Sequence, residues 1–174
     1  MKKVALIGTH GVRKSTYCHG LIHYLKQRKV NAEMLGEVAR SSPFPINEET
    51  TENSQRWILY NQLTKELEYE LQNPEILVCD RSILDNYSYL VEAFGKKYDL
   101  DLLVNNHINT YDAVIRVPLK NGEIDDDGVR STNLEFQKKI DFRVFRLLEE
   151  FKVEYVDFES VEKSGDYILK KFFE

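Results

Sequence analysis

Apolar positions along the chain follow two rhythms. Short unbroken apolar runs, "KVALI" (residues 3–7), "EILVCD" (75–80) and "DAVIRV" (112–117), are separated by longer stretches in which apolar residues recur every three or four positions. Unbroken runs of strand length suit parallel strands covered on both faces, and the three-four spacing suits amphipathic helices. Behind the first run, Cys18, Leu21, Ile22 and Leu25 predict a helix over about residues 14–28. "AEMLGE" (32–37) is a weaker second strand. "SSPFPIN" (41–47) carries two prolines that continue neither a helix nor a ladder, so a loop over the ligand end is expected there.

An acidic start at residues 48–55, then Tyr60, Leu63, Leu67 and Leu71, predicts one long helix ended by Asn73 and Pro74. Further helices are expected from residue 81 to Gly95, over 100–108, and over 133–151, where Ile140, Val144, Leu147, Leu148 and Phe151 share a face. "VEYVDF" (153–158) and a last helix close the chain. Strands that alternate with helices predict an α/β fold, a parallel sheet wrapped by helices with the ligand at the carboxyl ends of the strands.

The length of 174 residues suits one domain spanning 1–174, without repeat or linker. One polar segment, "PLKNGEIDDDGVRST" (118–132), is too long for a mere connector and reads as a lid. Hydrophobic residues at 42% and charged residues at 30% exclude a disordered chain. The net charge of −5 argues against a general nucleic-acid or anionic-membrane surface and leaves small phosphorylated ligands open. Cys18 and Cys79 fall in a predicted helix and a predicted buried strand, which reads as reduced thiols in a cytoplasmic protein. No apolar run approaches the roughly 20 residues of a membrane span.

Candidate chemistry begins at "GTHGVRKST" (8–16), directly behind the first strand. A phosphate-binding loop follows G-x-x-x-x-G-K-[ST]; Gly8, Lys14 and Ser15 are in register, and Arg13 stands where the second glycine belongs. In such a loop the backbone N–H groups of Gly8, Thr9, His10, Gly11, Val12, Arg13, Lys14, Ser15 and Thr16 surround phosphates. The lysine reaches the β- and γ-phosphates, and the serine hydroxyl holds Mg²⁺. The ordinary alternative is a plain glycine turn. The second feature is "ILVCDRS", a strand that delivers Asp80 and Arg81 at its carboxyl end. Asp80 can organise Mg²⁺ or take a proton from an attacking hydroxyl, and Arg81 can neutralise a moving phosphoryl group. Otherwise Asp80 is a helix cap and Arg81 a surface charge.

"GTHGVRKST", "GEVAR", "DRSILDNYSY" and "DDGVRST", in this order, resemble the small P-loop kinases that include nicotinamide riboside kinase domains, thymidylate kinases and deoxynucleoside kinases. The resemblance spans nearly the whole chain. It implies a P-loop NTPase three-layer sandwich, with a five-stranded parallel sheet in the order 2-3-1-4-5 and an arginine-bearing lid. It implies ATP and Mg²⁺, with Ser15 and Asp80 at the metal. It assigns Asp80 to acceptor activation, Arg81 to phosphate binding, Glu37 and Arg40 of "GEVAR" to the substrate side, and Arg130 of "DDGVR" to a lid closing over ATP. Gln55 and Gln62 on the long helix are candidates to read a base or amide edge. The expectation is ATP- and Mg²⁺-dependent phosphoryl transfer to a small nucleoside-like or nucleotide acceptor, with ATP affinity impaired by Arg13. A nucleotide-dependent switch and a degenerate domain without catalysis are the alternatives.

Three patterns carry less. His19 and His23 have the spacing of a zinc pair but lack the glutamate between them, and Gly20 follows His19. Asp125, Asp126 and Asp127 lack the spaced ligands of a calcium loop and read as a solvated charge run. Tyr87 and Tyr89 serve as packing or as an aromatic slot.

Overall fold

The computed structural model describes residues 1–120, 128 and 131–174. Its strands are β1 (Lys2–Ile7), β2 (Ala32–Leu35), β3 (Ile76–Asp80), β4 (Ala113–Arg116) and β5 (Val156–Asp157). Its α-helices are α1 (Lys14–Gln27), α2 (Glu52–Gln72), α3 (Ile83–Phe94), α4 (Tyr98–Ile108), α5 (Leu134–Glu150) and α6 (Val161–Phe173). All strand pairings are parallel, and the order across the sheet is β2-β3-β1-β4-β5, as the sequence resemblance implies. The segment between β2 and α2 is broken by the short 3-10 turns Val38–Ser41 and Asn47–Glu49.

Alternation along the strands divides the core into two layers. Val4, Leu6, Ile76 and Val78 face α1 and α6 through Cys18, Leu21, Leu25 and Ile168. Ala5, Ile7, Leu77 and Cys79 face the other helices through Leu59, Leu84, Leu90, Val104 and Val144. Each fully buried aliphatic side chain is worth about 1.5–3 kcal/mol, so the central strands gain from both faces. That is why β1 and β3 read as unbroken apolar runs. Cys18 and Cys79 are buried free thiols, and burial pushes both well above the usual thiol range.

Helix ends follow local chemistry. Thr51 and Ser54 close a reciprocal capping box at the start of α2, and Asn73 ends that helix in the left-handed region with Pro74 behind it. Ser82 caps α3 through the N–H groups of Leu84 and Asp85, and Asn133 and Ser160 cap α5 and α6.

Of the four apolar positions that mark α2, Leu63 packs against the core and the other three point outward: Tyr60, Leu67 and Leu71 are 48%, 60% and 89% exposed. The buried positions are instead Ser54, Gln55, Ile58, Leu59, Gln62 and Glu66. The inner face is polar because it covers polar groups. Tyr111 Oη donates to Glu66 Oε1 at 2.5 Å, Lys3 Nζ donates to Glu66 Oε2 at 3.0 Å, and His107 Nε2 lies 2.8 Å from the same oxygen. A periodicity argument cannot see partners that come from β1, α4 and the loop before β4. Other expectations on the weaker patterns resolve simply: His19 and His23 are exposed on α1, and Tyr87 is core.

Helices α1 and α6 meet on glycines. A Cβ on Gly165 would lie 2.3 Å from Tyr24 Cδ1, and one on Gly20 would lie 2.8 Å from Val161 Cγ2. A Cβ on Gly36 would meet nothing within 4 Å. Gly165→Ala is therefore expected to cost about 1–3 kcal/mol by overpacking, and Gly36→Ala less than about 0.5 kcal/mol. Parallel thermal melts check the contrast.

Candidate functional site

The parallel register decides which side chains meet. Leu6 of β1 lies level with Asp80 of β3, so the loop that leaves β1 passes beside the end of β3. That loop turns on residues with positive φ: Gly8 (142°), Gly11 (75°) and Arg13 (66°). A Cβ at Gly8 would stand 2.7 Å from the Val117 carbonyl oxygen, so the close passage to β4 requires glycine there. Arg13, at φ 66° and ψ 26°, occupies the left-handed region at the N-cap of α1. The turn keeps a glycine conformation with an arginine in it, at a cost of about 1–2 kcal/mol. From the far side α5 braces the loop. Gln137 Nε2 donates to the His10 carbonyl at 2.8 Å, and Thr9 Oγ1 donates to the Gln137 carbonyl at 3.0 Å.

Lys14 folds back over this turn, donating to the carbonyls of Gly8 at 2.9 Å and Thr9 at 2.6 Å. Burial, helped by the Arg81 charge, lowers its ammonium group to about 8. Ser15 Oγ donates to Asp80 Oδ2 at 2.5 Å. Asp80 is 2% exposed, and its Oδ1 has no hydrogen-bond partner among the described residues. A buried carboxylate oxygen without a donor lacks several kcal/mol of solvation, and a cation or proton at that position restores it. The hydroxyl and the carboxylate are both hard oxygen donors, the set that Mg²⁺ prefers.

Arg81 follows Asp80 at φ 92°, an uncommon value for a residue with a Cβ, and is 4% exposed. Its Nε donates to Glu37 Oε1 at 2.6 Å, Nη1 to the Gly8 carbonyl at 3.4 Å and to Asp85 Oδ2 at 3.5 Å, and Nη2 to Tyr89 Oη at 3.3 Å. The other Glu37 oxygen accepts from Arg40 Nε at 3.0 Å. Burial alone would raise the Glu37 carboxyl; the charges of Arg81 and Lys14 and the Arg81 hydrogen bond outweigh it and bring it down to about 2. Asp85 is shifted upward because burial dominates over the same two cations. Asp85 also closes the capping box of α3 through the Ser82 N–H at 2.5 Å.

Two cavities open on the loop. One, of about 310 Å³, is lined by His10, Lys14, Ser15, Thr16, Glu37, Ala39, Arg40, Ile46, Asn47, Gln55, Ile58, Asp80, Arg81, Asn86 and Tyr89. The other, of about 340 Å³, lies between Val12, Tyr17, Val117, Pro118, Leu119, Lys120, Gln137 and Phe158, with Tyr17 stacked on Phe158 at 4.2 Å. Gly11 and Arg13 line both. Ile46 and Asn47 come from the proline-bearing loop, which lies over the carboxyl end of the sheet as expected.

The structure thus brings together Lys14, Ser15, Asp80, Arg81, Glu37 and Arg40. It places Gln62 behind them: its Nε2 donates to Glu66 Oε1 at 2.9 Å, and its Oε1 accepts from Asn86 at 3.4 Å. Gln62 is fully buried in the α2 network, and Gln55 is the glutamine that reaches the cavity. Arg130 and Asp125, Asp126 and Asp127 lie outside the described residues. Asp85, Asn86 and Gln137 were not anticipated. Asp85 had a signal, the S-x-x-D spacing of "SILD" as a capping box; Asn86 and Gln137 had none, because only tertiary contact brings them to the loop.

Comparison with known proteins now decides the family. A family model described as "AAA domain" matches residues 3–164. The chain belongs to this AAA domain family. Among solved structures, this AAA-domain chain is similar to NadR protein in complex with NR, with a TM-score of 0.71 and 20% identity over 98% of this chain and 51% of that one. It is also similar to thymidylate kinase from Ehrlichia chaffeensis, with a TM-score of 0.65 and 16% identity over 97% of both chains. The chain therefore spans about half the length of the NadR structure. No curated protein matches it. At these identities the likeness shows the fold alone, an α/β sandwich on a five-stranded parallel sheet. No helix among the described residues is long and apolar enough to cross a membrane.

The buried Lys14 ammonium has a consequence for stability. A lysine whose folded value lies below its unfolded value burdens the folded state wherever both are protonated. The penalty is complete below about pH 8 and disappears as pH rises to the unfolded value near 10.5. Lys14→Met, after allowance for two lost hydrogen bonds, is expected to be about 1–3 kcal/mol more stable than the native chain at pH 7, with the gain fading toward pH 10. Urea denaturation at both pH values checks this.

Proposed function

We propose that this chain is a kinase that binds ATP with Mg²⁺ at residues 8–16 and transfers the terminal phosphoryl group to a small nucleoside-like or nucleotide acceptor in the 310 Å³ cavity. One observation carries the reading. Asp80 is buried in the wall of that cavity beside Lys14 and Ser15, with one oxygen unpartnered among the described residues, and Gly11 and Arg13 of the same turn line a second cavity as well. Two adjoining cavities fit a donor and an acceptor, and a plain glycine turn needs neither. The likeness to structures named thymidylate kinase and NadR with NR supports the same class.

Ser15 and Asp80 would hold Mg²⁺, whose charge offsets that of the phosphates. Lys14, already aimed across the turn, exchanges the Gly8 and Thr9 carbonyls for phosphate oxygens. The α1 N-terminus and the N–H groups of the turn add fixed positive potential. As the acceptor hydroxyl oxygen bonds to phosphorus and the bond to the ADP oxygen breaks, Asp80 takes the hydroxyl proton and Arg81 stabilises the charge on the moving group. Arg130 is assigned to closure of the lid over ATP. The rest of catalysis is positioning, which the packed strand ends supply.

Asp80→Asn is expected to lower kcat by about 10²–10⁴-fold with a smaller change in ATP affinity, since its proton and charge roles peak in the transition state. Coupled-assay kinetics against calorimetric ATP titration separates the two, and collapse of affinity with intact single-turnover chemistry would make Asp80 a structural anchor.

A loop that no longer binds nucleotide is the second reading, favoured by Arg13. The turn holds Arg13 in the left-handed region before any ligand arrives, so its strain is a matter of stability. Its Cβ and side chain at the junction of both cavities are the matter of affinity. Arg13→Gly is accordingly expected to raise stability by about 1 kcal/mol and to tighten Mg²⁺-ATP binding by about tenfold or more. Melting and calorimetric titration of both forms measure each part; equal or weaker binding by the glycine form would refute crowding.

A further inference from the structure

Two cations of the acceptor cavity, Arg40 and Arg81, are gathered onto one carboxylate. Glu37 accepts from Arg81 through Oε1 at 2.6 Å and from Arg40 through Oε2 at 3.0 Å. Arg81 is also shared with Asp85, the Gly8 carbonyl and Tyr89 Oη. Lys14 is turned to the loop carbonyls and Arg13 stands where the cavity meets its neighbour, so around Glu37 and Arg81 an acceptor meets the neutral polar Gln55, Asn86 and Tyr89 and the apolar Ile46 and Ile58.

A phosphate entering this cavity meets two obstacles. It must take Arg81 from a carboxylate inside a buried pair, where one lost partner leaves an uncompensated charge. It must also approach the Glu37 carboxylate at short range, where like charges repel with little screening. An uncharged hydroxyl compound meets neither. It can donate to the lone pairs that Glu37 still has and accept from Gln55 and Asn86 amides.

We infer that Glu37 is a specificity-determining residue that reserves the cavity for acceptors presenting an uncharged hydroxyl and turns away acceptors that already carry a phosphate. Among the acceptors proposed above, this selects nucleoside-like compounds over nucleoside monophosphates. The inference rests on the kinase reading for its chemistry, but its electrostatic part does not depend on turnover. Glu37 excludes by occupying the arginines and repelling the anion, since the same arginines, released, form a ready phosphate site.

Two measurements test it on the native chain and on Glu37→Gln, which keeps the shape and removes the charge. In the first, ribo- and deoxyribonucleosides and their 5′-monophosphates are offered with Mg²⁺-ATP, and products are identified by mass. The native chain is expected to convert nucleosides at least tenfold faster than any monophosphate; faster conversion of monophosphates overturns the inference and leaves the kinase reading standing. In the second, inorganic phosphate is titrated calorimetrically with a non-hydrolysable ATP analogue and Mg²⁺ present throughout. Glu37→Gln is expected to bind phosphate at least tenfold more tightly than the native chain. Equal or weaker binding by the folded variant, or tight phosphate binding by the native chain, overturns the inference. If no acceptor is phosphorylated, the kinase reading falls, and the phosphate titration still decides whether Glu37 holds the arginines from anions.

Discussion

A guanidinium buried at the end of a central strand organises this molecule. Arg81 is 4% exposed, and a cation at that depth is tolerable only if its charge and its N–H groups are met. They are met from four directions: Glu37 from the loop after β2, Asp85 and Tyr89 from the first two turns of α3, and the Gly8 carbonyl from the turn after β1. These partners come from two connections at the carboxyl edge of the sheet and from α3, the helix that follows β3. Satisfying one charge therefore places the turn after β1, the loop after β2 and α3 relative to one another.

The same economy explains the unusual inner face of α2. Behind Arg81 its carbonyl lies 3.5 Å from Gln62 Nε2, and Gln62 leads to Glu66, which gathers Lys3, Tyr111 and His107. The long helix buries polar groups and leaves Tyr60, Leu67 and Leu71 toward solvent. Stability in this layer comes from a satisfied network, which is rigid when complete and costly when one member is lost. On the opposite face α1 and α6 use close glycine contacts, a packing that tolerates little change of volume.

Four residues of the site stand in arrangements that oppose stability. Lys14 is held where burial opposes its charge, Asp80 carries an unpartnered oxygen, and Arg13 and Arg81 occupy backbone conformations that disfavour a Cβ. Such costs persist only where surrounding structure over-determines them, and they gather here at one strand edge. The sheet and its two apolar layers supply the stability against which they are set.

Local chemistry was legible in the residues themselves. Unbroken apolar runs marked β1, β3 and β4 because strands buried on both faces have no polar side to show, and Asn73 with Pro74 ended α2 because neither residue continues a helix. The turn from Gly8 to Ser15 and the Asp80-Arg81 pair were legible for the same reason: each is a local arrangement of backbone and adjacent side chains. Tertiary structure alone decided which partners meet across long separations. It turned Tyr60, Leu67 and Leu71 of α2 outward, withdrew Gln62 into the network around Glu66, brought Asn86 to the cavity and Gln137 to the loop, and set Glu37 between two arginines. A buried charge chooses its partners by distance in space, and a linear pattern carries no record of that distance.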